Sequence, residues 1–228
     1  MASKNSNLHG AKQAKNDEFY TQYHDIEKEM QAYLDYNPDV FRDKVVLLPC
    51  DDPEWSNFTK YFAQRFSELG LKKLISTSYV QPNHASSDAK GKIFTLSRDS
   101  NHDGVVDIND LEWKYLEGDG DFRSDEVTKL RDEADFIITN PPFSLFREFL
   151  GWIMDGGKTF AIIGSMNAIT YKEVFPLIKD NKMWLGLYNG AKEDNLPNGD
   201  VQKMGNTLWF TNVEHGKRHQ PLNLDTMD

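Results

Sequence analysis

One cysteine, Cys50, stands alone in 228 residues, so no internal disulfide forms, and the six histidines are scattered without zinc-finger spacing. That usage fits a reducing compartment. Long apolar runs are missing as well. Stretches such as Lys44 to Pro49 and Phe160 to Gly164 fall far short of the roughly 20 residues that cross a bilayer. The first fifteen residues, MASKNSNLHGAKQAK, lack the apolar segment of a secretory signal. A cytoplasmic location with no membrane partner is expected. No internal repeat or low-complexity tract divides the chain. What is present, 39% hydrophobic, 12% aromatic and 27% charged residues, is enough for one sizeable core.

The net charge of −10 argues against a nucleic-acid partner until its distribution is considered. Between Asp99 and Asp135 thirteen acids face four bases, so −9 of the −10 lies in that window. Residues 1–16 hold Lys4, Lys12 and Lys15 and no acid, which reads as a basic flexible arm. A polyanion remains an acceptable partner.

Apolar positions at Tyr20, Tyr23, Ile26, Met30 and Tyr33 predict a helix over Asp17 to Leu34. A strand buried on both faces is expected at Lys44 to Pro49, then a helix through Phe58, Tyr61, Phe62, Phe66 and Leu69, capped by Gly70. Further strands are expected at Lys72 to Tyr79, Lys92 to Arg98, Val105 to Ile108 and Asp135 to Thr139. Gln81 to Gly91 reads as turn, and Arg123 to Glu133 and Ser144 to Met154 as helices. The chain then continues through a strand at Lys158 to Gly164 and a helix over Ala168 to Asn181 kinked by Pro176. Late strands fall at Met183 to Leu187 and Thr207 to Val213, separated by a polar loop that includes residues 195–199. Alternating strands and helices imply one α/β domain, with a mostly parallel central sheet and helices on both faces. Ligands then lie outside the carboxyl ends of the strands.

The most unusual loop in that position is Asn140-Pro141-Pro142-Phe143. Two prolines remove two N–H donors and hold the chain extended, so carbonyls and the Asn140 side-chain oxygen remain as acceptors. Such a corner suits an amino group with two hydrogens to donate. Phe143 offers a face for an aromatic ring. Hydrogen bonds from the amine to fixed acceptors favour a pyramidal nitrogen and stabilise the positive charge that develops as it attacks. A strand-ending turn would use the same residue types, but the placement between an apolar strand and an amphipathic helix favours a functional loop.

These residues resemble the amino-group DNA methyltransferases, and in particular the EcoRI-type adenine-specific family. Asp17-Glu-Phe-Tyr-Thr-Gln22, Cys50-Asp-Asp-Pro53, Gly118-Asp-Gly-Asp-Phe-Arg-Ser124, Asn140-Pro-Pro-Phe-Ser-Leu-Phe146 and Ile169-Thr-Tyr-Lys-Glu-Val-Phe175 follow in the family's order. The likeness spans about residues 16 to 213 and implies a Rossmann-like catalytic domain over 17–213, with 214–228 as a tail. It implies S-adenosylmethionine as methyl donor and N6 of adenine in double-stranded DNA as acceptor. A cognate restriction endonuclease is then a counterpart without a stable complex. By this resemblance Phe19, Tyr20 and Thr21 contact the methionine part of the cofactor, and Asp51 and Asp52 form its first-strand loop. Asp121 and Phe122 meet its adenine, and Asn140, Pro141, Pro142 and Phe143 hold a base flipped out of the duplex. Three departures stand out. Pro49 to Pro53 has no glycine, Ile75 to Tyr79 offers no acid for the ribose, and the chain stops at Asp228, short of a recognition segment expected of relatives. Open alternatives are an RNA base or protein glutamine amide as acceptor, and a module that binds without turnover.

Other features are read structurally. Asp99, Asn101, Asp103, Gly104, Asp107 and Asp110 match a calcium-loop spacing, but the preceding strand and the aspartate at the twelfth position favour a plain turn, and no metal is assigned. Trp55, Trp113, Trp152 and Trp184 are expected to pack. Trp209-Phe210 is weighed between packing and framing the target pocket.

Overall fold

The computed structural model describes residues 20–50, 54, 56–80, 90–189, 193–195, 201–203 and 206–220. Strand β1 (Tyr20–Thr21) leads into α1 (Tyr23–Tyr36), then β2 (Val45–Leu48), α2 (Asn57–Gln64), a short α3 (Phe66–Leu69) and β3 (Lys73–Thr77). Next come β4 (Lys92–Leu96), β5 (Glu112–Tyr115), α4 (Asp125–Glu133), β6 (Phe136–Thr139), α5 (Phe146–Asp155) and β7 (Thr159–Ser165). The chain ends with α6 (Phe175–Lys179), β8 (Trp184–Asn189), β9 (Glu193–Asn195), β10 (Val201–Lys203) and β11 (Thr207–Thr211). The proposed arm, Phe19, Asp51, Asp52, Trp55 and most of the 81–91 turn lie outside the described residues.

Eight strands form one sheet in the order β5-β4-β3-β2-β6-β7-β11-β8. Only the centre is parallel: β3, β2, β6 and β7 pair in register Leu48↔Ser76, Leu47↔Ile137 and Thr139↔Ile162. β4 and β5 run antiparallel at one edge, and β11 lies antiparallel between β7 and β8 at the other. The expected mostly parallel sheet is therefore mixed. A parallel neighbour needs a crossover that carries the chain back to the starting end. No helix is described between β3 and β4 to carry one, and β4 returns antiparallel at once. Beside them, β9 joins β1 and β10 in a three-stranded antiparallel sheet.

Side chains along the central strands alternate between two cores. Val46, Leu48, Leu74, Phe136, Ile138, Ala161 and Ile163 pack against Ile26, Met30, Phe58 and Phe62 of α1 and α2. Val45, Leu47, Ile75, Ile137, Phe160 and Ile162 pack against Val127, Phe149, Leu150 and Ile153 of α4 and α5. This is the period of two expected for strands covered on both faces. Ser56 caps α2 by accepting from the N–H groups of Phe58 and Thr59, and Ser124 caps α4 from Val127.

Several boundaries differ from the sequence reading. The first helix begins at Tyr23, because Tyr20 and Thr21 pair with Asn195 and Asp194 of β9 instead. The helix expected through Leu69 breaks at Arg65 before Gly70 closes α3 at φ 65°. Pro176 sits in the first turn of α6, where a missing N–H costs nothing, after a 3-10 turn at Met166–Thr170. The edge strand is Glu112–Tyr115 rather than Val105–Ile108, and Trp113 within it is 55% exposed, stacking on Phe94 at the surface rather than packing in the core. Trp209 and Phe210 are both fully buried.

β8 is bulged. Leu208 pairs with Asn189 and Phe210 with Leu185, leaving Trp209 alone opposite residues 186–188. Glu29 of α1 takes up freed donors there: its carboxylate accepts from the N–H groups of Leu187 (3.0 Å) and Tyr188 (2.9 Å) and from the Tyr33 hydroxyl (2.7 Å). Any side chain at Gly186 would strike that carboxylate, since a Cβ would lie 2.2 Å from Glu29 Oε1.

Candidate active site

The chain leaves β2 toward β3 on one side and later places β6 on the other, so the strand order reverses between β2 and β6. At such a switch point the loops beyond the carboxyl ends diverge and leave a crevice. Pro49 and Cys50 open one wall, and Asn140 to Phe143 form the other. The Thr139 hydroxyl donates to the Pro49 carbonyl at 2.7 Å, joining the two walls at their base.

Pro141 is buried, while Asn140, Pro142 and Phe143 are half-buried. The Asn140 side chain is held on its donor side, with Nδ2 donating to the Thr21 hydroxyl at 3.2 Å. Its Oδ1 is screened from water and has no hydrogen-bond partner among the described residues. An unmet buried acceptor costs about 1–3 kcal/mol, so a group that donates to it has a place prepared. The Pro142 carbonyl is already used, accepting from the Leu145 N–H at 2.9 Å. Phe143 begins a 3-10 turn leading into α5 and packs partly against the α1/α2 core. The prolines thus leave the loop poor in donors, as the sequence suggests.

The other end of the crevice lies at the exits of β2 and β3. Cys50 adopts φ 66°. This left-handed turn does the work of the glycine that Pro49 to Pro53 lacks, at a cost of roughly 1–3 kcal/mol for a residue with a Cβ. The segment 116–121 is stitched to the exit of β3: Val80 N–H donates to the Asp119 carbonyl and Gly91 N–H to Gly118, both at 2.9 Å. Gly120, at φ 86°, permits this approach, because a Cβ there would stand 2.0 Å from the Ser78 carbonyl oxygen. Asp121 is brought to this end. Its carboxylate accepts from Arg123 Nη2 at 2.6 Å and Nε at 2.9 Å, and these bonds hold its pKa below the ordinary carboxylate range. Phe122 is only 3% exposed and lies edge-on to Phe149 and Trp152, so its ring belongs to the core beneath the crevice.

The family model for the EcoRI adenine-specific methyltransferases matches residues 7–227. The chain belongs to that family. It is 43% identical over 240 residues to the Type II methyltransferase M.EcoRI of Escherichia coli, covering 96% of this chain and 72% of the relative. It is 35% identical over 235 residues to M.MpnI of Mycoplasma pneumoniae, with 95% of this chain and 66% of the relative covered. The Type II methyltransferase M.MgeORF184P of Mycoplasma genitalium is likewise 35% identical, with 67% of its length covered. No solved structure matches the chain at comparable stringency. Membership makes this chain an adenine-specific methyltransferase by class, with a methyl donor as co-substrate and a Rossmann-like fold whose sheet is mixed.

Within this family member the structure brings Thr21 and Asn140 into contact and places Asp121 at the exit of β3. Tyr20 lies in β1, one residue before that contact. Three residues escaped the sequence reading. Asn57 donates from Nδ2 to the Thr21 carbonyl at 2.8 Å. Tyr79 stands half-exposed at the exit of β3, its phenol pushed up by burial and by Asp119 and Asp121 nearby. Thr77, within the Ile75 to Tyr79 stretch that offers no acid, carries a buried hydroxyl without a partner among the described residues. Only position at the end of a strand could have signalled the last two, and nothing in the sequence signals Asn57.

The Asp99 to Asp110 loop is separate from the crevice in its chemistry. Asp99 accepts from the N–H groups of His102 (2.6 Å), Asp103 (3.2 Å) and Gly104 (2.8 Å), and Asp110 from those of Ser100 (2.8 Å), Asn101 (3.0 Å) and Asp107 (3.0 Å). Among the described residues no cluster of three or more His, Cys, Asp or Glu side chains is arranged to hold a metal ion. None of the described helices is long and apolar enough to cross a membrane.

Proposed function

We propose that this chain transfers a methyl group from S-adenosylmethionine to N6 of adenine in double-stranded DNA, in the cytoplasm, on a base flipped into the Asn140–Phe143 corner. The observation that carries the reading is the unpartnered Asn140 Oδ1 at the switch point, with the donor end of the same amide already engaged. The adenine amine has two hydrogens to give, one to Asn140 Oδ1 and one to a backbone carbonyl of the Asn140-Pro141 segment. No hydrogen bond among the described residues reaches either backbone carbonyl. As the nitrogen's lone pair leaves conjugation with the ring, positive charge builds on the amine, and fixed acceptors stabilise it more than they stabilise the neutral ground state. Phe143 supports the purine face, a contact worth about 1–3 kcal/mol per base. Because a duplex hides N6, the base leaves the stack to reach this corner.

The residues at the other end suit the donor. The unmet Thr77 hydroxyl and the depressed Asp121 carboxylate offer hydrogen-bonding groups for a nucleoside. Phe122 supports that end from beneath through packing, and the family resemblance assigns Phe19, Tyr20, Asp51 and Asp52 to the donor as well, whereas the Thr21 hydroxyl is engaged by Asn140. The cofactor, when bound, supplies an electrophilic methyl group on a positively charged sulfur. Holding both reactants in adjacent loops of one rigid sheet contributes the proximity term.

The test is incubation of the protein with tritium-labelled cofactor and, separately, duplex DNA, RNA and protein. Label in DNA, recovered as N6-methyladenine, is the expected result. Label in RNA or protein alone rejects the acceptor, and bound cofactor product with no transfer to any of them makes the chain a binding module.

A further inference from the structure

Three segments distant in sequence meet at Thr21, which is only 2% exposed. Its hydroxyl receives Asn140 Nδ2 at 3.2 Å, across a separation of 119 residues. Its carbonyl receives Asn57 Nδ2 at 2.8 Å. Asn57 is itself the first residue of α2, where the Ser56 side chain fixes the helix start. β1 is further tied by its pairing of Thr21 with Asp194. The hydroxyl therefore stands at a position set by a helix terminus and a strand ladder.

Resting on the proposed function, we infer that Thr21 is a positioning residue that orients the Asn140 amide toward the substrate amine. A primary amide is two-faced, with an acceptor on one side and two donors on the other, and the torsion that exchanges them is soft. With the amide reversed, an NH2 would confront the substrate's own NH2, and two donors would lie without an acceptor. The Thr21 hydroxyl fixes the plane of the amide and gives its NH2 an acceptor. Oδ1 is then the end left for the amine. The chemistry of the substrate completes the choice, because only an acceptor meets a donor there. Asn57 acts one step further back, by holding the carbonyl of the residue that holds the amide.

Steady-state kinetics of the full chain on duplex DNA test this, alongside titration with S-adenosylhomocysteine. Thr21→Val, close to isosteric, should lower kcat by about five- to thirty-fold, the effect of losing one hydrogen bond at the reacting centre, while cofactor Kd moves less than about two-fold. Thr21→Ser, which keeps the hydroxyl, should stay within about three-fold of the parent. Asn57→Ala should shift kcat in the same direction by a smaller factor, and it decides the matter if Thr21→Val does not fold. A reading independent of turnover is the side-chain NH2 resonance pair of Asn140, identified by its loss in Asn140→Ala. That pair should move in Thr21→Val and stay in Thr21→Ser. Unchanged kcat and resonances in Thr21→Val, or a cofactor Kd that weakens in step with kcat, overturns the inference. Full turnover by Asn140→Ala would instead sink the underlying reading of the corner, so the two failures are distinguishable.

Discussion

Between Asp99 and Asp110 the carboxylates spend themselves on their own backbone, Asp99 and Asp110 each accepting from three nearby N–H groups. Between Asn140 and Phe143 the prolines have removed the nearby donors, and Asn140 Oδ1 is left unmet. Both stretches are rich in acceptors, and their sequences both resemble ligand motifs. What separates them is the supply of backbone N–H within reach. A loop that can satisfy itself becomes structure, and one that cannot is available to a substrate. Glu29 extends the comparison into the core, where a buried carboxylate is used up by the bulge in β8.

If this distinction holds, losing an unmet acceptor harms chemistry and losing a met one harms the fold. Asn140→Ala should reduce methyl transfer by at least about 10²–10³-fold, the scale for removing one preorganised polar group from a reacting centre. Its cofactor affinity and melting temperature should stay near the parent values, and equal loss of binding and turnover would make the corner structural. Glu29→Ala should lower unfolding free energy by about 2–4 kcal/mol, because the bulge N–H groups lose their acceptor in a buried place. Denaturant midpoints measure this, and a midpoint near the parent would mean that water replaces the carboxylate freely. Asp110→Asn should give the smallest change, read as the pH dependence of the melting temperature. The N–H of Asp107, with those of Asn101 and Ser100, holds the Asp110 carboxyl below its ordinary range. Its stabilisation is present above the unfolded pKa and is lost as pH falls through the lower folded value. The amide variant should therefore flatten the acid limb of that profile while leaving transfer at neutral pH unchanged.

The strands buried on both faces were legible to within one or two residues, since an apolar run such as Val45 to Leu48 has few other fates. Strand direction was not legible. It depends on what the connection can carry, and the Glu-Trp-Lys-Tyr of β5 alternates over only four residues, all of them exposed, too short a pattern to mark an edge strand. The scarcity of donors in the Asn140 loop was legible because two successive prolines state it locally. The grip of Thr21 and Asn57 was hidden, because it arises between residues that only the folded chain brings together. Phe122 shows the reverse case: its motif was visible, yet its ring is committed to Phe149 and Trp152.

The bond from the Thr139 hydroxyl to the Pro49 carbonyl joins loops that leave neighbouring strands, whose spacing is about 4.8 Å in any sheet. If donor and acceptor bind to these two loops as proposed, the distance between their footings follows the repeat of the β-ladder rather than the outer loops. Engineering aimed at a different amine can rebuild the outer edges of the cleft and keep this ready-made ruler untouched.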